Sequence, residues 1–376
     1  VILSITSPTV GVSIPSQDIN WPTEGWTFST PTEQGMNESK LLEMVDHIEE
    51  NFISINAIVV IRNGCLVFEQ YFDFFDENQT SNIFSCTKSF TSTCVGMALQ
   101  QGYLQTTQQR VLDFFQDRTI ENPHAWKESM TIEDLLTMTA GFEWNDNSDA
   151  GMSEYNNMIR SEDWVQYVLD RPMAVEPGLV WNYNSGASHL LSAIVQNVTG
   201  MTAEEFAIEH LFTPLGIDDM TWREDPNGIT IGGNTIQLVA RDMAKFGYLF
   251  LKNGEWDGVQ IVSPEWVENA SMSHSQWPGG GYGYQWWTRS DVNSYFAAGY
   301  SGQFIHIAPD HDVVVAVKAS SGIPFDTLGD WIIPSILEGP GSGLPNGGPD
   351  LTLTITLVSI SLISIVVIVI IIRKIK

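Results

Sequence analysis

Ser81-Asn-Ile-Phe-Ser85-Cys-Thr-Lys88-Ser-Phe-Thr-Ser-Thr-Cys94-Val-Gly-Met-Ala-Leu-Gln-Gln-Gly102 is the stretch around which the chain is organised. It reads as a loop that turns into a helix at Ser85 and stops at Gly102, where glycine takes the left-handed conformation. Ser85 and Lys88 are three residues apart and share one helix face. Ser85 falls on the first turn, where free N–H groups and the helix dipole favour a developing anion. A hydroxyl with an amine beside it is the minimum kit for a serine nucleophile. An S-x-x-K match alone arises by chance, so the rest of the chain has to decide.

Two β-rich runs, Ile55 to Arg62 and Cys65 to Phe72, flank Asn63-Gly64 and predict a hairpin just before this stretch. Ahead of them, Asn37 to Glu50 carries apolar residues at positions 41, 44, 45 and 48, a helical period. From about 103 to 250 the pattern is mostly helical, including a capped helix over Thr131 to Gly141 and another after Trp181 that Gly200 stops. Strand-like runs return at Tyr282 to Trp287, Ser294 to Gly299, Gln303 to Ala308 and Val313 to Ala319, and Asp326 to Leu337 reads as a closing helix. The expected fold is mixed α/β (α+β): an antiparallel sheet built from both termini, flanked by helices, with a large helical insertion.

The 376 residues carry a net charge of −28, which argues against nucleic acid as a partner. Three cysteines make no disulfide framework, and Cys86 lacks a basic partner of its own. No metal or nucleotide motif is present, so no cofactor is expected. Residues 1–35 read as an irregular lead-in, 36–338 as one domain with a helical subdomain at about 103–250, and 339–350 as a Gly/Pro linker. Leu351 to Ile372 runs without a charge; at ~1.5 Å per helical residue that reaches across a bilayer core of ~30 Å. With Arg373, Lys374 and Lys376 behind it, the run predicts one transmembrane helix, a cytoplasmic tail 373–376 and an extracytoplasmic domain. The sequons at Asn37, Asn78, Asn197 and Asn269 agree with that side.

Seven short motifs then fall in order: Ser85-Cys-Thr-Lys88, Leu135-Leu-Thr-Met-Thr-Ala-Gly141, Pro177-Gly178 with Tyr183-Asn-Ser185-Gly186, Pro214-Leu-Gly216, Arg241-Asp-Met-Ala-Lys-Phe-Gly247, Tyr282-Gly-Tyr-Gln-Trp286 and Gly299-Tyr-Ser-Gly-Gln303. Together they resemble the serine β-lactamase and penicillin-binding-protein-like hydrolases, in the branch of class C β-lactamases, esterases and 6-aminohexanoate-dimer hydrolases. The resemblance implies the β-lactamase/transpeptidase-like fold. It also implies Ser85 as acylated nucleophile, Lys88 as its basic partner and Tyr183 as proton relay, with the choice of base between Lys88 and Tyr183 left open. The oxyanion hole would be the N–H groups of Ser85 and Tyr300, and Ser185, Gly299 and Gln303 would face substrate.

Two departures bear on substrate. Where relatives carry Lys-Thr-Gly or His-Thr-Gly, this chain has Ala297-Ala298-Gly299, without the cation that helps hold a carboxylate. Arg289 and Lys318 are the substitutes to test. Ser185 replaces the usual Asn of Tyr-x-Asn. The missing cation favours a small-molecule or peptide ester or amide over a β-lactam or D-Ala-D-Ala carboxypeptidase substrate, while Ser185 keeps a hydroxyl but loses the amide that can contact a substrate carbonyl or Lys88. A non-catalytic sensor on the same fold would not need the intact Ser/Lys/Tyr set. A Ser-His-Asp triad would draw on His189 or His306, each more simply a structural histidine. Trp144, Trp181, Trp286 and Trp287 cluster near the motifs as a candidate aromatic pocket wall.

Overall fold

The computed structural model describes residues 21–51, 53–146, 153–321 and 326–337. All belong to the first of two units, Val1–Gly339 and Pro340–Lys376. The predicted linker and the apolar run 351–372 lie outside the described residues. Among the described residues no helix is long and apolar enough to cross a membrane.

Helix α1 (Glu38–Glu50) starts under Asn37, whose side chain accepts the Lys40 N–H. The hairpin β1 (Ile55–Arg62) and β2 (Cys65–Tyr71) follows. Its turn residues sit at φ 49° for Asn63 and 76° for Gly64, the left-handed pair that a two-residue hairpin demands. The short strand β3 (Ser81–Asn82) leads through one 3₁₀ turn, Phe84–Cys86, into α2 (Thr87–Gln100). Gly102 lies beyond the helix at φ 81°, as its stop position requires. Helices α3 (Ala125–Ser129), α4 (Ile132–Leu136), α5 (Glu154–Met158), α6 (Trp164–Leu169), α7 (Ser185–Thr199) and α8 (Ala203–Ala207) make up most of the insertion. Strand β4 (Gln237–Leu238) pairs with β3, and α9 (Ala240–Leu251) follows. A small hairpin, β5 (Glu255–Trp256) and β6 (Val259–Gln260), precedes α10 (Pro264–Ser271). Then come β7 (Ser275–Trp277), β8 (Gly280–Tyr282), β9 (Trp287–Arg289), β10 (Ser294–Gly299), β11 (Gln303–Ala308), β12 (Val313–Ala319) and α11 (Ile333–Leu337).

Eight strands form one sheet in the order β2-β1-β12-β11-β10-β9-β8-β7. Strand β1 lies between β2 and β12, both antiparallel to it. It is apolar on both faces because both are covered. Val59 and Ile61 pack into the core shared with α2, α7 and α9, while Ile58 and Val60 pack with Leu41, Met44 and Ile48 of α1 and Leu328 and Ile332 near the C-terminal end.

Several expectations need correction. Tyr282 to Trp287 is not one strand. It is the end of β8, a turn with Gln285 at φ 64°, and the start of β9. The helix expected over 131–141 ends at Leu136, and Met138 turns the chain at φ 59°. The described part of the lead-in is turns and one isolated bridge, yet it is not loose: Trp26 is buried, and the segment around Phe28 bonds along β2 through Leu66 N–H to Thr27 O and Ser29 N–H to Leu66 O. Helix α2 is buried on nearly every side. Three of its hydroxyls are satisfied by carbonyls: Ser89 donates to Gln285 O at 2.8 Å, Thr91 to Gly232 O at 2.8 Å and Thr93 to Ser89 O at 2.8 Å.

Candidate active site

The route into Ser85 is tightly fixed. The Ile83 N–H donates to Ile236 O at 2.9 Å. Asn82 Oδ1 accepts the Phe84 N–H at 2.7 Å. Phe84 itself sits at φ 47°, a conformation that a bulky residue holds only when its surroundings impose it. Ser85 therefore sits in the first helical turn, where N–H groups lack intrahelical partners.

One turn on, Lys88 is fully buried. Its Nζ lies 3.1 Å from Ser85 Oγ, 3.0 Å from Ser185 Oγ and 2.7 Å from Gly233 O. Burial pulls the amine down to about 8, against the opposing pull of the Asp146 carboxylate. The proton inventory at this point is informative. Gly233 O can only accept. Ser185 donates its hydroxyl to Asp146 Oδ2 at 2.8 Å, so toward Lys88 it too accepts. A neutral amine has two N–H groups, which these two acceptors take up. The remaining lone pair is left facing Ser85.

Ser185 is the first residue of α7, whose N-cap Asn184 accepts the Ala187 N–H at 2.9 Å. The Ser185 N–H and the Trp144 indole N–H both donate to Asp146 Oδ1 at 2.8 Å. Two residues before Ser185, the Tyr183 phenol lies within hydrogen-bonding reach of Ser85. Burial, and secondarily the Asp146 charge, push it well above its usual value. At neutral pH the pair is thus divided: Lys88 is partly neutral and Tyr183 keeps its proton.

Strand β10 ends against the loop that leads into Ser85. A Cβ built on Gly299 would lie 2.3 Å from Ile83 O, so only glycine allows this approach. Tyr300 follows, 77% exposed, its ring edge-on to Phe84 at 5.7 Å. Together these residues border a cleft of about 400 Å³ lined by Phe84, Ser85, Asp146, Tyr155, Tyr183, Ser185, Asn234, Ala298, Gly299 and Tyr300. The structure thus brings Ser85, Tyr183, Ser185, Gly299 and Tyr300 to one cleft, with Lys88 directly behind Ser85.

Gln303 does not join them. Its side chain is buried and donates to Ala319 O, because its strand position turns it inward. Neither substitute for the missing cation reaches the cleft. Arg289 pairs with Asp291 and Asp326, and Lys318 donates to Leu238 O beneath β4. His189 is buried against Asp225 at 3.1 Å, and His306 is buried in β11; no histidine lines the cleft. The four tryptophans do not line it either: Trp286 is core, Trp144 bonds Asp146, and Trp181 and Trp287 contact Tyr183 from behind the cleft lining. Asp146, Tyr155 and Asn234 were not foreseen. The last two are joined by a 2.7 Å hydrogen bond from the Asn234 amide to the Tyr155 hydroxyl. No local motif marks any of the three.

Comparison with known proteins bears on the fold and the family. The 6-aminohexanoate-dimer hydrolase of Paenarthrobacter ureafaciens is 25% identical over 312 residues, covering 77% of this chain and 78% of that protein. Among solved structures, the octameric penicillin-binding protein homologue from Pyrococcus abyssi superposes with a TM-score of 0.63 at 19% identity, over 80% of this chain and 77% of the other. A family VIII carboxylesterase gives 0.64 at 14% identity, over 82% and 98%. At those identities the two structures speak for the fold alone. The sequence profile described as Beta-lactamase matches residues 48–332, the span from the end of α1 to the C-terminal helical segment. With the fold and that match in agreement, the chain belongs to the β-lactamase family of serine hydrolases.

Proposed function

We propose that this hydrolase cleaves a neutral ester or amide through an acyl-enzyme on Ser85. The carrying observation is the set of acceptors around Lys88, which leaves the lone pair of a neutral amine facing Ser85 Oγ. Lys88 takes the Ser85 proton as Oγ attacks the carbonyl carbon. The carbonyl oxygen becomes an oxyanion, held by the N–H groups of Ser85 and Tyr300. When the bond to the leaving group breaks, that group carries off the electron pair and takes the Tyr183 proton. The Lys88 ammonium then restores the phenol. Water repeats the sequence in reverse and frees the acid.

The cleft lining supports a neutral substrate. Among the described residues it contains Asp146 and no Lys or Arg, with Arg289 and Lys318 engaged elsewhere. A substrate carboxylate would meet a like charge. The names of the 6-aminohexanoate-dimer hydrolase and the carboxylesterase neighbour fit the same chemistry. Ser85→Ala is expected to abolish turnover of p-nitrophenyl acetate while circular dichroism stays that of the folded protein; undiminished turnover would sink the proposal. A chromogenic cephalosporin turned over faster than short esters would instead favour a β-lactamase.

The proposal includes a tether. The uncharged run Leu351 to Ile372 and the basic residues behind it support a single-pass anchor with the hydrolase outside. Full-length protein should partition into detergent extracts, and a chain ending at residue 338 should not. Equal partitioning would remove the anchor from the proposal.

A further inference from the structure

Tyr183 arrives on a loop, and its backbone neighbours are pinned: the Asn182 N–H donates to Met138 O at 2.7 Å and its amide to Trp144 O at 2.9 Å. Those bonds fix the main chain but not the plane of the phenol. Three groups meet the ring, and the tilted contact is Trp181 at 6.2 Å. Lys88 Nζ lies over it, 4.9 Å from its centroid. Trp287 stacks on it at 5.7 Å with the planes 23° apart.

Trp287 is unusually well held for a side chain beside a cleft. Its backbone pairs on both sides, with Tyr282 of β8 and Phe296 of β10. Its indole is fenced by Trp277 edge-on at 4.9 Å, Tyr282 edge-on at 4.9 Å, Trp181 at 5.8 Å and Phe296 stacked at 6.4 Å. None of these rings lines the cleft except through Tyr183. Such a fence immobilises the indole face on which the Tyr183 ring stacks.

We propose that Trp287 is a positioning residue: its indole, anchored in the sheet, holds the Tyr183 ring so that its hydroxyl points at the leaving-group atom. This rests on the reading that Tyr183 protonates the leaving group. In that step the C–O or C–N bond of the tetrahedral intermediate breaks, and its electron pair goes to the departing oxygen or nitrogen. The Tyr183 O–H proton goes to the same atom, and the phenolate is refilled by the proton that Lys88 took from Ser85. Proton donation needs the hydroxyl within a few tenths of an ångström of the right place, so a phenol free to swing loses rate steeply. The stack also keeps water from one ring face, in line with the raised phenol.

The test exploits leaving groups. A p-nitrophenolate departs as a stable anion and needs no proton, whereas an alkoxide does. The measured quantity is the ratio of kcat/KM for p-nitrophenyl acetate to that for ethyl acetate, in wild type, Trp287→Leu, Trp287→Phe and Tyr183→Phe. Trp287→Leu is expected to raise the ratio at least ~10-fold, in the same direction as Tyr183→Phe. Trp287→Phe keeps a smaller stacking face and should give an intermediate rise, about threefold; it carries the test if the leucine variant does not fold. A purely structural role would slow both esters alike and leave the ratio at the wild-type value, and that result overturns the proposal. If Tyr183→Phe itself leaves the ratio unchanged, Tyr183 is not the donor, and the reading of its role falls together with the proposal. If only the Trp287 variants leave it unchanged, the reading of Tyr183 stands and the positioning role is wrong.

Discussion

Replacing Asp146 with Asn should move the pH dependence of turnover in a direction that the hydrogen bonds fix. Asp146 and Lys88 are separated by the Ser185 hydroxyl, 3.0 Å from the amine and 2.8 Å from the carboxylate, so the two charges lie no more than about 6 Å apart. At an effective dielectric constant of ~20, such a pair interacts by roughly 3 kcal/mol, equivalent to about two pH units. Asp146 borders the cleft, and solvent there screens part of this, leaving about one to two units. The carboxylate favours the Lys88 ammonium, against burial, which brings the amine to about 8. Without it the amine loses its proton at lower pH. Since the base must be neutral, the rising limb of kcat/KM should shift to acid by that one to two units. The plateau should fall as well. Oδ1 already accepts two N–H groups, so the new amide must turn its NH₂ toward Ser185 Oγ. Ser185 then donates toward Lys88 and competes with Ser85 for the lone pair, a loss of about 10- to 100-fold. Ser185→Ala separates the two effects: it keeps the charge, so its limb should stay within about half a unit of wild type while its plateau drops about tenfold. The assay is p-nitrophenyl acetate hydrolysis from pH 5 to 9, corrected for the spontaneous reaction, with active-site labelling to count competent enzyme. A limb that stays put or moves to alkali in Asp146→Asn refutes the electrostatic reasoning.

Two further outcomes follow from the packing. Gly299→Ala would place a methyl 2.3 Å from Ile83 O, so the end of β10 must move away from Ser85; kcat should fall about 100-fold with the melting temperature little changed, and a fully active variant would show that the contact does not set the oxyanion geometry. Asp225 is buried against His189; burial raises its carboxyl, but hydrogen bonds from His189 and from the Ile229 and Asn227 N–H groups outweigh that and hold it below its usual value. A depressed carboxylate stabilises the fold above its unfolded pKa and loses that contribution as pH falls through the native value. Asp225→Ala should therefore cost about 3 kcal/mol in urea unfolding at pH 7, with the difference from wild type shrinking below about pH 4; a constant difference would count against the linkage.

What the sequence made legible was whatever a few consecutive residues determine. Asn63-Gly64 specifies a hairpin because both residues accept a left-handed backbone, and the spacing of Ser85 and Lys88 is a property of one helical turn. Asp146, Tyr155 and Asn234 were invisible because each reaches the cleft from a separate segment of the insertion, and nothing in the flanking residues encodes where those segments meet. Gln303 misled for the opposite reason. It stands in a motif whose backbone borders the site, but its side chain points to the Ala319 carbonyl. The break at Gln285 was masked by the apolar, aromatic neighbours that make Tyr282 to Trp287 look like one strand. Ser185 shows the useful middle case. Its departure from Asn was plain in the sequence, but its meaning required the partner, since only the bond to Asp146 makes it an acceptor toward Lys88.

The place of β1 in the sheet sets a timetable for the newborn chain. Its partner β12 lies so far along the polypeptide that the Ser320–Asn56 bond beside this pairing spans 264 residues. At ~5–20 residues per second, synthesis leaves one edge of β1 waiting for roughly 13–50 s. That edge belongs to the run Ile58-Val59-Val60-Ile61, apolar on both faces and free of charge, the kind of segment that templates aggregation when its backbone is unpaired. The loop before Ser85 leans on β10, which also emerges late. Competence for catalysis and escape from aggregation are thus reached at the same moment, when the last strands arrive. A protein built this way gains from an escort that keeps it unfolded until its C-terminal third is available.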